Sequence, residues 1–153
     1  MYDLLTVGSA TEDVFVIVHD AKVVCIEDAR SETSYLALPR GAKLSVDHLE
    51  VMTGGGATNV AVAAKLMGLN TGCVCKVGMD GPGRRVVEEL RGYGVGTDLV
   101  LYSQELRTGY SVLITDYSGE RTVLVHRGAT CELSMDELCL DMLAQTQWLY
   151  VGS

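Results

Sequence analysis

The sequence predicts an α/β protein, a largely parallel sheet covered by helices with a small antiparallel sheet standing off it as a lid. Three observations carry this. Apolar runs of strand length alternate with helix-length stretches of period 3.6 along most of the chain. The first and last runs, Leu4-Leu5-Thr6-Val7 and Trp148-Leu149-Tyr150-Val151, are nearly continuous, as strands covered on both faces are. The alternation is interrupted only by a cluster of short extended pieces early in the chain and by one hairpin around Asp116-Tyr117-Ser118-Gly119.

Taken in order, Tyr2 to Val7 is the first core strand, ending in Gly8-Ser9-Ala10-Thr11-Glu12-Asp13. A dinucleotide-binding unit would continue with G-x-G-x-x-G and a helix; here Val14 to Val18 reads as another strand, which argues against that class. Lys22 to Ile26, Tyr35 to Leu38 and Ala42 to Val46 add short extended pieces, so a small lid sheet is expected within about residues 13–50.

Thr53-Gly54-Gly55-Gly56-Ala57-Thr58-Asn59 follows, and the chain is organised around it. Glycines let the backbone bend and approach a ligand with no Cβ in the way. Val60 to Gly68 reads as a helix apolar nearly all round, with Lys65 its only charge. Such a helix is expected to be buried, its N-terminus a platform of free N–H groups with a partial positive charge. Asn59 sits at that first turn with an amide that both donates and accepts. The combination suits a polyhydroxylated or anionic ligand; a tight turn opening a helix is the alternative the glycines alone allow.

Thr71 to Val77 reads as a parallel core strand. Asp80 caps the next helix, Pro82 fits its first turn, and Val86, Val87 and Leu90 form its buried stripe. Arg84–Glu88 and Arg85–Glu89 are i,i+4 pairs in the weaker orientation. Gly92-Tyr93-Gly94-Val95-Gly96 stops that helix. Asp98 to Tyr102 is a short strand, and Tyr110 to Thr115 with Arg121 to Val125 form the hairpin. Ser134-Met135-Asp136-Glu137 has the form of a capping box, and Met135, Leu138, Cys139, Met142 and Leu143 make a helical stripe. Trp148 to Val151 is a further core strand.

The 153 residues amount to one domain, with 48% hydrophobic residues and a formal net charge of -8. That acidity argues against nucleic acid or an anionic membrane as partner, since phosphates would be repelled. No apolar run approaches the ~18 residues of a membrane span, and Met1-Tyr2-Asp3 lacks a basic leader, so a cytoplasmic protein is expected. The five cysteines (25, 73, 75, 131 and 139) lack a C-x-x-C pair and read as buried structural thiols rather than metal ligands. His19, His48 and His126 read as structural or exposed. Asp80-Gly81-Pro82-Gly83 has a D-x-x-G form, but no G-x-x-x-x-G-K-[ST] accompanies it and a GTPase is discarded.

The whole run GGGATNVAVAAKLMG, then a strand, then VGMDGPG resembles the first signature region of the ribokinase-like (PfkB) carbohydrate kinases. Thr108-Gly109-Tyr110 through Arg127-Gly128-Ala129 is similar to the family's middle region. The resemblance implies a three-layer α/β/α sandwich whose small sheet is a lid over the sugar and often the dimer contact. It also implies that Asp13, otherwise a turn or strand-edge carboxylate, holds sugar hydroxyls together with the backbone at Gly55 and Gly56 and the Asn59 amide. Arg127 either reaches a polar or anionic substrate group or stands solvated at a strand end. Thr11 stands where ribokinase-type members often have Asn, and Gly56 where they often have Lys, which puts ribose itself in doubt.

The family transfers the ATP γ-phosphate to a substrate hydroxyl, with Mg2+, through an Asp in a G-x-G-D motif of its C-terminal half. No G-x-G-D occurs in these residues. The expectation is therefore the sugar-binding half of such a kinase, inactive alone, with no catalytic, cofactor or metal residue of its own. An exposed sheet edge should make it associate with itself, or with a complementary C-terminal half. A non-catalytic carbohydrate- or nucleoside-binding module, or a regulatory subunit, is the competing reading.

Overall fold

The computed structural model describes residues 1–152. In chain order the first elements are β1 (Leu4–Val7), β2 (Thr11–Ile17), β3 (Lys22–Glu27), β4 (Glu32–Ala37), β5 (His48–Gly54) and α1 (Gly56–Leu66). They are followed by β6 (Thr71–Val74), β7 (Lys76–Gly78), α2 (Gly81–Gly92), β8 (Leu101–Ser103), β9 (Gly109–Thr115), β10 (Arg121–His126), α3 (Leu140–Ala144) and β11 (Trp148–Val151). The chain divides into two compact units: Met1–Asp13, Met52–Ser111 and the segment from Val125 onward form one, Val14–Val51 with Val112–Leu124 the other.

In the first unit β1 lies between β11 and β6, all three parallel, with Leu4 opposite both Trp148 and Thr71. Burial from both sides explains the unbroken apolar run of β1, where Leu5 is fully buried. The single strand expected over Thr71 to Val77 is two, because the partner changes at Cys75. β6 pairs with β1, whereas β7 pairs in parallel with β8, and the Cys75 carbonyl accepts from the Leu101 N–H at 2.8 Å. Strand pairing begins at Leu101 rather than Asp98, since Thr97 to Val100 is a turn closed by the Val100 N–H on the Thr97 carbonyl.

α1 packs on β1 and β6. It presents Ala57, Thr58, Ala61 and Ala64 to them, small side chains that allow close approach. The helix starts four residues earlier than expected and is not buried all round: Leu66 is 70% and Met67 83% exposed. α2 contributes Val86, Val87 and Leu90 to the same core, with Cys73, Cys75 and Val77. Cys73 and Cys75 are buried, but Cys25, Cys131 and Cys139 are exposed, against the expectation for all five.

The continuous helix expected from Met135 to Leu143 is also absent. Met135–Glu137 is a single 3-10 turn, Leu138 is extended, and α3 has five residues. Glu137 closes the expected capping box, accepting from the Ser134 N–H at 3.2 Å, and also accepts from the Lys76 ammonium at 2.7 Å, which ties the turn to β7.

In the second unit β3 and β4 form an antiparallel hairpin, Lys22 opposite Ala37 and Glu27 opposite Glu32. A four-stranded sheet has the order β10-β9-β2-β5. Ala42 to Val46 forms no strand; the strand is β5, immediately before the glycine run, and it was not expected. Residues 112–124 join 14–51 in this unit, so it draws on more of the chain than the interval of residues 13–50. No helix among the described residues is long and apolar enough to cross a membrane.

Candidate functional site

The candidate site is built where β2 meets the glycine run. Alternation along β2 puts Thr11 and Asp13 on one face and Glu12 and Val14 on the other. Burial agrees: Glu12 is 3% and Val14 8% exposed, while Thr11 and Asp13 are half-buried. The Thr11 hydroxyl donates to Asp13 Oδ1 at 2.9 Å, which orients the carboxylate. Beneath it lies Gly54, where any Cβ would overlap the Asp13 carboxylate. Gly55 has φ 112°, a conformation L side chains rarely adopt, and a Cβ there would run into the Ser9 carbonyl. The glycines at 54 and 55 are thus required by close approach of β2 and of the residues just before it, not only by the turn.

The N-terminus of α1 is not a bare platform. The Gly56 N–H donates to Ser9 Oγ at 2.7 Å, and the Ala57 N–H to the Ser9 carbonyl at 3.2 Å. The Thr58 hydroxyl turns back to the Gly54 carbonyl at 2.7 Å. Two of the four orphan N–H groups of the helix are therefore satisfied within the protein.

Of the expected site residues, Thr11 bonds Asp13, which lies against Gly54, while the adjoining Gly55 and Gly56 meet Ser9. The Asn59 N–H donates to the Gly55 carbonyl at 3.0 Å, but Asn59 is exposed and lines a cleft of about 250 Å³ with Met52, Thr53, Leu66, Glu89 and Tyr93. Arg127 is exposed, but its backbone is near: a Cβ on Gly109 would lie 2.8 Å from the Thr11 methyl and 3.0 Å from the Arg127 carbonyl. A cleft of about 560 Å³ is lined by Asp80, Gly81, Pro82, Arg107, Thr108, Tyr110 and His126, and Asp13 is not among its residues.

The two intrahelical pairs expected on α2 do not form among the described residues. Arg85 instead makes a bidentate pair with Glu12, Nε to Oε2 at 2.5 Å and Nη2 to Oε1 at 2.8 Å. Glu89 accepts from the Thr53 N–H (3.1 Å) and hydroxyl (2.6 Å), holding the residue before Gly54. His48 has Glu50 at 3.5 Å, and both side chains are exposed.

Asp80 caps α2 through the Gly83 N–H at 2.9 Å and also accepts from the Thr108 hydroxyl at 2.6 Å and N–H at 3.0 Å. Burial opposes its ionisation, but the Thr108 hydroxyl, the Gly83 and Thr108 N–H groups and the Arg107 charge together hold its carboxyl below the usual range. Glu137 is lowered chiefly by Lys76.

Glu12, Arg85 and Ser9 were missed in the sequence. One signal for Glu12 exists: it shares the inward face of β2 with Val14, and a carboxylate on a buried face needs a cationic partner.

The fold is ribokinase-like. The ribokinase of Cryptococcus neoformans var. grubii serotype A, solved in complex with ADP, superposes with a TM-score of 0.72 at 26% identity, covering 99% of this chain and 42% of that one. The pfkB family carbohydrate kinase pattern matches residues 20–153, and the chain belongs to that family. Mouse ribokinase is 28% identical over 115 residues, 74% of this chain and 35% of its own length. A Salmonella typhimurium fructokinase is 33% identical over 100 residues, 65% of this chain and 33% of its own. The chain spans about a third of the length of these curated relatives.

Proposed function

We propose that Thr11, Asp13 and the backbone of Gly54 to Gly56 form the acceptor-sugar site of an ATP-dependent carbohydrate kinase. The observation that supports this most is the Asp13 carboxylate, oriented by Thr11 and seated against a glycine. A fixed carboxylate accepts hydrogen bonds from two adjacent sugar hydroxyls, and a surface without Cβ atoms lets the ring approach. The acceptor is a sugar, sugar acid or nucleoside, with Asn59 and Arg127 as further contacts once ligand is bound.

ATP and Mg2+ are the donor and metal of the complete kinase. The residues present do not fit them. The sequence contains neither G-x-G-D nor G-x-x-x-x-G-K-[ST], and no three His, Cys, Asp or Glu side chains among the described residues are grouped to hold a metal ion. On this reading the chain binds the acceptor and does not transfer phosphate by itself. It associates through β11, the edge of the three-stranded sheet, where Trp148 and Val151 are exposed, with a second copy or with a chain carrying G-x-G-D. The missing motif also favours a second reading, a carbohydrate-binding or regulatory subunit without catalysis.

Calorimetric titration of the purified chain with D-ribose, D-fructose, a sugar acid and adenosine, alongside an ATP-consumption assay, tests this. Binding of one ligand without turnover, lost in Asp13→Asn at unchanged melting temperature, is the expected result. Turnover by the chain alone that vanishes in Asp13→Ala overturns it. Turnover gained on adding a G-x-G-D chain separates the kinase from the binding module.

A further inference from the structure

We infer that the Glu12–Arg85 pair is a positioning device for Asp13; this rests on the reading of Asp13 as the acceptor-binding carboxylate. Glu12 is the residue immediately before Asp13 on β2, and its side chain is 5% exposed, turned to the opposite face. Both its oxygens are engaged by Arg85, 73 residues away, in the fork geometry that fixes direction as well as distance. Arg85 itself stands on rigid ground. It lies one turn into α2, whose start is held by Asp80 to Gly83 and Thr108, while the Thr108 hydroxyl accepts from the Gly78 N–H at 2.9 Å.

An ion pair with one buried member is a poor way to gain stability, since apolar residues of like volume are often as good or better. What the pair supplies is register. Neighbouring residues of a strand share one backbone, so a β2 clamped at Glu12 cannot slide or twist at Asp13. That matters because the carboxylate has little room: Gly54 lies against it and the Thr11 hydroxyl must reach it.

The test is the double variant Glu12→Met/Arg85→Met, which removes both charges and leaves neither unpaired, with Arg85→Lys as the conservative change. Sugar affinity is measured by calorimetry well below the melting temperature, and the Asp13 carboxyl resonance is observed by 13C NMR at neutral pH. The expected result is a folded double variant that binds the sugar about tenfold more weakly or worse, with a displaced Asp13 resonance, and Arg85→Lys between it and wild type. Unchanged affinity and an unchanged Asp13 resonance overturn the inference, whatever the melting temperature does. Should the double variant fail to fold, Arg85→Lys decides by the same two readouts. If the wild-type chain binds no sugar, the acceptor-site reading fails; the Asp13 resonance then decides the positioning claim alone.

Discussion

Two glycine-rich turns open the two main helices of the first unit, and they are built on opposite plans. At α2 the cap is local: Asp80 accepts from Gly83 three residues on, Pro82 lies in the first turn, and a Cβ on Gly81 would meet only the end of the Arg85 side chain at 3.3 Å. At α1 no side chain of the turn caps the helix. The cap is Ser9, brought by the chain between β1 and β2, and a Cβ on Gly54 or Gly55 would overlap Asp13 or the Ser9 backbone. A helix that caps itself closes its first turn with its own residues, although Thr108 also bonds the Asp80 carboxylate here. One that leaves its start as bare backbone is open to another strand, and here that strand carries the candidate acceptor-binding carboxylate.

The contrast can be broken most severely at Gly55. Gly55→Ala combines a disfavoured positive φ with overlap against Ser9, and is expected to cost about 3 kcal/mol of stability. Chemical denaturation measures this, and a loss close to zero would mean that the chain between β1 and β2 does not press on the turn as described. Asp80→Ala ranks next. It removes the α2 cap and the acceptor for Thr108, an expected cost of about 2 kcal/mol, while sugar affinity measured at low temperature stays near wild type.

The same residue gives a pH signature. The folded carboxyl titrates below its unfolded value, so its stabilisation is present above the unfolded pKa of about 4 and is lost as pH falls through the folded one. The fall in melting temperature on acidification is therefore expected to be shallower in Asp80→Asn than in wild type. The smallest effect is at Gly81. Gly81→Ala meets only a flexible side-chain end and should stay within about 0.5 kcal/mol of wild type.

The two turns also differ in how they could be read. Asp80 as a cap, Pro82 in the first turn and the Val86, Val87, Leu90 stripe are all visible within a dozen residues, and the structure has them where they were expected. The glycine run and Asp13 were equally visible as types, and the structure sets Asp13 against Gly54 with Thr11 bonded to it. The start of α1 was misplaced by four residues because its cap is not adjacent in the chain. Arg85 was assigned to Glu89 because i,i+4 spacing is legible, whereas Glu12 lies on another element altogether. Leu66 and Met67 looked like core because an apolar side chain does not say whether a partner covers it.

The sequence by itself determined the alternation of strands and helices, the glycine turn, the self-capped α2 and membership of a carbohydrate kinase family. The first three rest on backbone preferences and side-chain periodicity, which act over a few residues; the family rests on its pattern, matched over residues 20–153. Only the tertiary structure decided that Ser9 closes α1 from 47 residues away and that Glu12 takes Arg85 from 73. It also decided that Gly54 lies against Asp13. Such contacts depend on which strands are set side by side, and the free energy that selects them belongs to the packed sheet and not to any one segment of the chain.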